Sequence, residues 1–208
     1  MNINIYGSTG QIGSKSLKIL KKFFPHIKIN LLVANQNYNK LILQAKKYKP
    51  NYICINDINK FKYLKQKINQ KITKLIYRNE LFAYLKNSKS DISILSISGY
   101  ESLYYLEYII SNTKNLGIVN KESIVSAGHL FKKNNLFKKI NLFPLDSEHF
   151  SLFYHFENNI NNYNIKNVFL TASGGPFLKT NISKLKNIDV KDAIKHPKWK
   201  MGYKNSID

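Results

Sequence analysis

An α/β fold built on a doubly wound parallel sheet is predicted by three observations. Short β-type runs alternate with longer stretches of helical period along most of the chain, and that alternation builds a parallel sheet with helices on its faces. The first run passes directly into a glycine-rich turn, and the turn into an amphipathic segment. Beyond about Leu145 the motifs change to carboxylates, serines and histidines, so a second α/β part is expected to begin there. The predicted division is therefore 1–145 and 146–208.

The β-type runs are Asn2 to Tyr6, Lys28 to Val33, Tyr52 to Ile55, Lys74 to Tyr77, Asp91 to Ile97, Leu116 to Val119, Ile140 to Phe143 and Asn167 to Thr171. Between them, Ser14 to Phe24, Leu41 to Tyr48 and Leu103 to Ile110 carry apolar residues three and four apart, as a helix with one buried face requires. The polar stretch Glu157 to Asn164 reads as a surface connection.

A chain of 208 residues with 43% hydrophobic content supports one domain of ordinary size and part of a second, which excludes a multidomain machine. The net charge of +21, from 33 basic and 12 acidic residues, raises nucleic acid or an anionic membrane as partner. Arg78 is the only arginine, however, and the lysines are spread among Asn, Ile and Tyr, whereas phosphate and base-edge readers favour the arginine fork. A solvated, lysine-biased surface with no nucleic-acid partner is expected. Cys54 is the single cysteine, which rules out an internal disulfide and fits a reducing compartment. The opening Met1 to Tyr6 has no signal-peptide character, and no apolar run approaches the ~18 residues of a membrane span. A cytoplasmic protein without a membrane partner follows as the expectation.

Gly7-Ser8-Thr9-Gly10-Gln11-Ile12-Gly13 lies between the first strand and the first helix. A pyrophosphate can rest there on free backbone N–H groups, and glycines clear its approach. The same residues would also make a plain tight turn. Folds that prefer NAD place an acid about 20 residues beyond the glycines to hold the ribose 2′-hydroxyl. Here the second strand ends at Ala34-Asn35-Gln36-Asn37, with Lys40 close behind and no acid before Asp57, so NADP is favoured.

Asp146-Ser147-Glu148-His149 stands out in a chain poor in acids. In extended backbone residues two apart share a side, so Asp146 and Glu148 would offer two oxygens to one cation, which oxygen chemistry makes Mg²⁺ or Mn²⁺. Alternatively, Asp146 or Ser147 caps a helix and Glu148 sits in its first turn. His149 beside them is either a third ligand or an exposed neighbour.

Five motifs, in the same order and at similar intervals, resemble the 1-deoxy-D-xylulose 5-phosphate reductoisomerase family: Gly7 to Gly13, Asn120-Lys121-Glu122-Ser123, Asp146 to His149, Ser173-Gly174-Gly175-Pro176-Phe177, and His196-Pro197 with Trp199, Met201 and Gly202. The resemblance implies a Rossmann-like NADPH-binding domain followed by an incomplete catalytic domain with a lid segment. It implies that Thr9, Gly10, Gln11 and Ile12 contact NADPH, with Asn35, Gln36 and Asn37 near its adenosine phosphate and Asn120, Glu122 and Gly202 also on the cofactor. Asp146 and Glu148 would bind Mn²⁺ or Mg²⁺. Lys121, Ser147, Ser173 and His196 would hold the sugar phosphate, with Lys121 and His196 in the catalytic set.

The implied reaction rearranges 1-deoxy-D-xylulose 5-phosphate and reduces the resulting aldehyde to 2-C-methyl-D-erythritol 4-phosphate, for isoprenoid precursors; the full-length enzyme is expected to be a homodimer. Two departures from the family pattern matter. Asn35-Gln36-Asn37 replaces Gly-(Lys or Arg)-Asn, which removes a cation from the 2′-phosphate. The family's Ser-Ala-Thr-x-x-Asn-Lys-x-x-Glu segment, with the third metal carboxylate, would begin just after Asp208. A non-catalytic dinucleotide-binding remnant is therefore the alternative.

Overall fold

The computed structural model describes residues 1–158, 165–169, 171 and 174–197. The chain divides into two compact units, Met1–Ile160 and Asn161–Asp208. In the first, the order is β1 (Asn2–Tyr6), α1 (Gln11–Phe23), β2 (Lys28–Ala34), α2 (Tyr38–Tyr48), β3 (Tyr52–Ile55), α3 (Ile58–Lys67), β4 (Lys74–Tyr77) and α4 (Arg78–Asn87). It continues with β5 (Ser90–Leu95), α5 (Leu103–Asn112), β6 (Thr113–Ile118), α6 (Lys121–Lys133), β7 (Asn141–Pro144) and α7 (Ser147–Asn158). The seven strands form one sheet in the order β4-β3-β2-β1-β5-β6-β7. Every neighbouring pair is parallel.

Strand β2 shows why the sheet is covered on both faces. Successive side chains of a strand point to opposite sides, and Leu31 and Val33 enter one core while Leu32 and Ala34 enter the other. The first core joins Tyr6, Leu95, Leu106, Ile109 and Leu116, with Leu81 and Leu85 of α4. The second joins Ile3, Ile5 and Ile53 to Leu17, Leu41 and Leu64 of α1, α2 and α3. Each such side chain withdrawn from water contributes about 1.5–3 kcal/mol. Cys54 lies inside the first core, where burial pushes its thiol up to about 12, so it is an inert apolar filler at neutral pH.

Polar groups within the layers are paired. Asn30 of β2 donates its amide to Asn4 Oδ1 and to Tyr84 Oη, both at 2.8 Å, and accepts from Asn51 at 3.1 Å. At the amino ends of the strands, Asp91 accepts from the Asn2 N–H at 2.9 Å and from Lys114 Nζ at 2.8 Å, joining β1, β5 and β6.

The second unit has a turn at 175–179, a 3-10 helix at Ile182–Asn187 and the short α8 (Val190–Ala193), capped reciprocally by Asp189 and Asp192. The predicted strand Asn167 to Thr171 is not formed at residues 167–169 or 171. An apolar run becomes a strand only when a neighbouring backbone accepts its ladder; Val168 and Phe169 remain exposed. Of the stretch predicted as a connection, Glu157 and Asn158 close α7, and 159–164 lie outside the described residues. Among the described residues no helix is long and apolar enough to cross a membrane.

The hydrogen bond from Lys114, then that from the Asn2 N–H, holds the Asp91 carboxyl below the usual carboxylate range. A folded value below the unfolded one means stability that is present above the ordinary aspartate pKa and lost as pH falls through the lowered one. Asp91→Asn is thus expected to lower the urea midpoint near neutrality and to narrow its difference from the parent in acid; an equal deficit at both pH values would refute the pairing.

Candidate active site

Because all strands run the same way, every connection that follows a strand emerges on one edge. Hydrogen bonds tie these connections together in spatial order. The Asn56 N–H donates to the Ala34 carbonyl, Gly7 and Ser8 to Val33, Ser96 to Tyr6, Val119 to Leu95 and Leu145 to Ile118, all at 2.8–3.1 Å. The chain's path reverses between β1 and β5, which is where ligands enter open α/β sheets.

The glycine turn occupies that position. Gly7 takes φ +80°, and a Cβ on it would lie 2.7 Å from the Ser96 carbonyl oxygen. A Cβ on Gly13 would collide with the Gly7 carbonyl oxygen, so α1 rests directly on the turn. Ser8 is fully buried; its Oγ donates to Gln44 Oε1 at 2.9 Å, and Gln44 Nε2 donates back to the Ser8 carbonyl at 2.7 Å. Thr9 is half-buried, while Gly10, Gln11 and Ile12 are exposed at the opening of α1. Gly10 supplies no side-chain cap, and the first turn holds no acid. The positive end of the helix and its unpaired first N–H groups therefore remain available to an anion.

Past β2, Asn35, Gln36 and Asn37 are exposed. Asn37 Oδ1 accepts from the Lys40 N–H and caps α2. At the end of β6, Asn120 is 4% exposed and its amide is fully engaged. It donates to the carbonyls of Ile97 and Gly99, both at 2.6 Å, and accepts from the N–H and Oγ of Ser123. The hydroxyls of Ser102 and Ser123 close this network. Asn120 thereby fixes the connection after β5 and the start of α6, where Lys121 is exposed and Glu122 half-buried.

At the end of β7 the sequence allowed extended backbone or a helix cap, and the structure takes the cap. Asp146 Oδ1 accepts from the His149 N–H at 3.0 Å and lies 2.6 Å from His149 Nδ1. Ser147 Oγ donates to Glu148 at 3.1 Å. Partial burial opposes ionisation of Asp146, but the bonds from His149 and its imidazole charge outweigh it and hold the carboxyl below its ordinary range. Asp146 and Glu148 are hard oxygen donors of the kind Mg²⁺ or Mn²⁺ takes. Among the described residues no three His, Cys, Asp or Glu are grouped to hold a metal, so His149 does not complete a set.

A cavity of about 640 Å³ between α6, β7 and α7 is lined by both Lys121 and Asp146, with Ile124, Leu142, Pro144, Phe153, His129 and His149 among its other walls. His196, half-buried after α8, belongs to the second unit. Ser173 and Gly202 lie outside the described residues. Gln44 went unnoticed in the sequence, although its signal is legible: with Leu41 and Ala45 it forms the buried face of α2, and a polar side chain on such a face must be paired.

A doubly wound sheet with an uncapped, glycine-opened first helix at its switch point places the chain among the α/β proteins of the class whose switch point receives ligands. The family model described as 1-deoxy-D-xylulose 5-phosphate reductoisomerase matches residues 3–128, and that of the same enzyme's C-terminal domain matches 142–208. The chain belongs to the 1-deoxy-D-xylulose 5-phosphate reductoisomerase family. It is 42% identical to the reductoisomerase of Pelagibacter ubique over 99% of its own length and 53% of that relative. With the apicoplastic enzyme of Plasmodium falciparum the identity is 37%, over all of this chain and 47% of that protein. Among solved structures, a DOX-P reductoisomerase in complex with NADPH, fosmidomycin and magnesium superposes with TM-score 0.83 at 29% identity, over 99% of this chain and 53% of that one. The Zymomonas mobilis enzyme in complex with NADPH gives 0.83 at 27%, over 94% and 52%. The chain thus spans about half the length of the relatives it matches.

Gln44→Leu strands the buried Ser8 hydroxyl and is expected to cost about 1–3 kcal/mol. Gly13→Ala forces α1 off the turn and should cost a similar ~1–3 kcal/mol. Urea denaturation measures both, and wild-type midpoints would refute the clamp and the close packing respectively.

Proposed function

We propose that the chain is the NADPH- and divalent-metal-binding part of a cytoplasmic enzyme converting 1-deoxy-D-xylulose 5-phosphate to 2-C-methyl-D-erythritol 4-phosphate for isoprenoid precursors. Residues 1–145 carry the cofactor and 146–208 begin the catalytic domain; the full-length enzyme is a homodimer. The observation that supports this most is the shared cavity of Lys121 and Asp146, on the sheet edge that also carries the glycine turn. Family membership and relatives solved with NADPH, magnesium and fosmidomycin lend further support.

Thr9, Gly10, Gln11 and Ile12 receive the pyrophosphate on the open start of α1. Asn35, Gln36 and Asn37 border the adenosine ribose. Asn120 positions the start of α6, from which Glu122 meets the cofactor. Asp146, kept ionised by His149, and Glu148 hold Mg²⁺ or Mn²⁺. When bound, that cation supplies Lewis-acid polarisation of substrate oxygens and NADPH supplies the hydride. The Lys121 ammonium offsets negative charge on the substrate, Ser147 orients it, and the apolar cavity walls limit water. By the family resemblance, Ser173 and His196 contact the sugar phosphate and Gly202 the cofactor. The presence of two carboxylates, with no third in the described residues, favours a more limited function for these 208 residues by themselves: dinucleotide binding without turnover.

Titration of the purified chain with NADPH, followed by nucleotide fluorescence, tests the cofactor site directly. Saturable binding is expected, with Asp146→Asn abolishing Mn²⁺ uptake while leaving NADPH affinity within about twofold. Absence of NADPH binding would sink the proposal. Oxidation of NADPH with 1-deoxy-D-xylulose 5-phosphate and Mn²⁺ by the 208 residues alone would instead eliminate the more limited function.

A further inference from the structure

A 2′-phosphate distinguishes NADPH from NADH, and in this fold the ribose that carries it lies at the end of the second strand. Here that end is Asn35, Gln36 and Asn37, which bring no charge. We propose that Lys60, from the neighbouring α3, is the cation that recognises the 2′-phosphate. The inference rests on the NADPH site proposed above and adds the residue that sets its nucleotide preference.

Three observations converge on Lys60. The connection after β3 is bound to the connection after β2: the Asn56 N–H donates to the Ala34 carbonyl at 3.1 Å and the Asp57 N–H to the Asn35 carbonyl at 3.2 Å. Asp57 caps α3 through the Asn59 N–H, and Lys60 follows in the same first turn. From there Lys60 Nζ lies 5.1 Å from the centroid of the Tyr38 ring. Tyr38 directly follows Asn37 in the chain, and its ring is held edge-on against Tyr63 with centroids 5.2 Å apart. The ammonium is thus delivered to the residue that borders Asn35 to Asn37.

The contact with Tyr38 restrains the flexible lysine stem without neutralising its charge. Lys60 is half-buried and, among the described residues, carries no ion pair. The nearest acid in sequence, Asp57, is engaged with the Asn59 N–H instead. Lys40 is the rival cation, but among the described residues no ring or acid positions its ammonium, and its N–H is used by the α2 cap.

The test measures NADPH and NADH dissociation constants for the native chain and for Lys60→Met, Lys60→Arg and Lys40→Met, each verified as folded by circular dichroism. Lys60→Met is expected to weaken NADPH about tenfold, the size of one charge-assisted contact, with NADH unchanged. Lys60→Arg keeps the charge and should keep the preference; Lys40→Met should alter neither nucleotide. The inference is overturned if Lys60→Met leaves NADPH binding intact, weakens both nucleotides equally, or if Lys40→Met is the variant that erases the preference. A native chain that binds neither nucleotide removes the NADPH site itself and this inference with it, whereas failure of the Lys60 effect alone leaves that site standing.

Discussion

Backbone hydrogen bonds that prolong the parallel ladder beyond the strand ends hold the functional edge together. Each connection takes its position from the strand beside it: the glycine turn from Val33, the turn after β5 from Tyr6, the approach to α6 from Leu95 and the approach to α7 from Ile118. Loops that would otherwise carry conformational freedom are therefore fixed by the sheet, so the glycine turn, the start of α6 and the Asp146 cap take their places from the strands beside them. Side chains then refine the arrangement. Gln44 grips the turn from below, and Asn120 joins two adjacent connections with four bonds from one amide.

Asp146 illustrates how one carboxylate starts a helix and is itself held by it. Both bonds from His149 fall on Oδ1, and a carboxylate has a second oxygen with lone pairs of its own. The cap that starts α7 thus engages one oxygen of the carboxylate, and the same bonds hold the carboxyl below its ordinary range. A metal role on extended backbone and a helix cap had looked like alternatives in the sequence; the backbone takes the cap.

The seven strands of the first unit were legible because buried parallel strands are written as short apolar runs, and their ends agree within a few residues: β2 gains Ala34, and β6 begins at Thr113, three residues earlier than its apolar core. The run at 167–171 had the same local character without a ladder partner among the described residues, and periodicity does not report partners. The glycine turn was legible from its setting between strand and helix. The serine pair Ser102 and Ser123 was not, because the two are brought together only when the 3-10 turn at Tyr100–Ser102 packs against the start of α6. Lys60 was equally hidden: its interest arises from an aromatic ring on another helix, and nothing in the local sequence around it points there.

Both outermost strands, β4 and β7, are only four residues long. The first starts at Lys74 and is followed by Arg78; the second ends in Pro144, which has no amide hydrogen to offer. Short, charged or proline-ended borders give an incoming strand little to grasp. An open sheet that is otherwise a template for growth is in this way kept from recruiting further chains into fibrils.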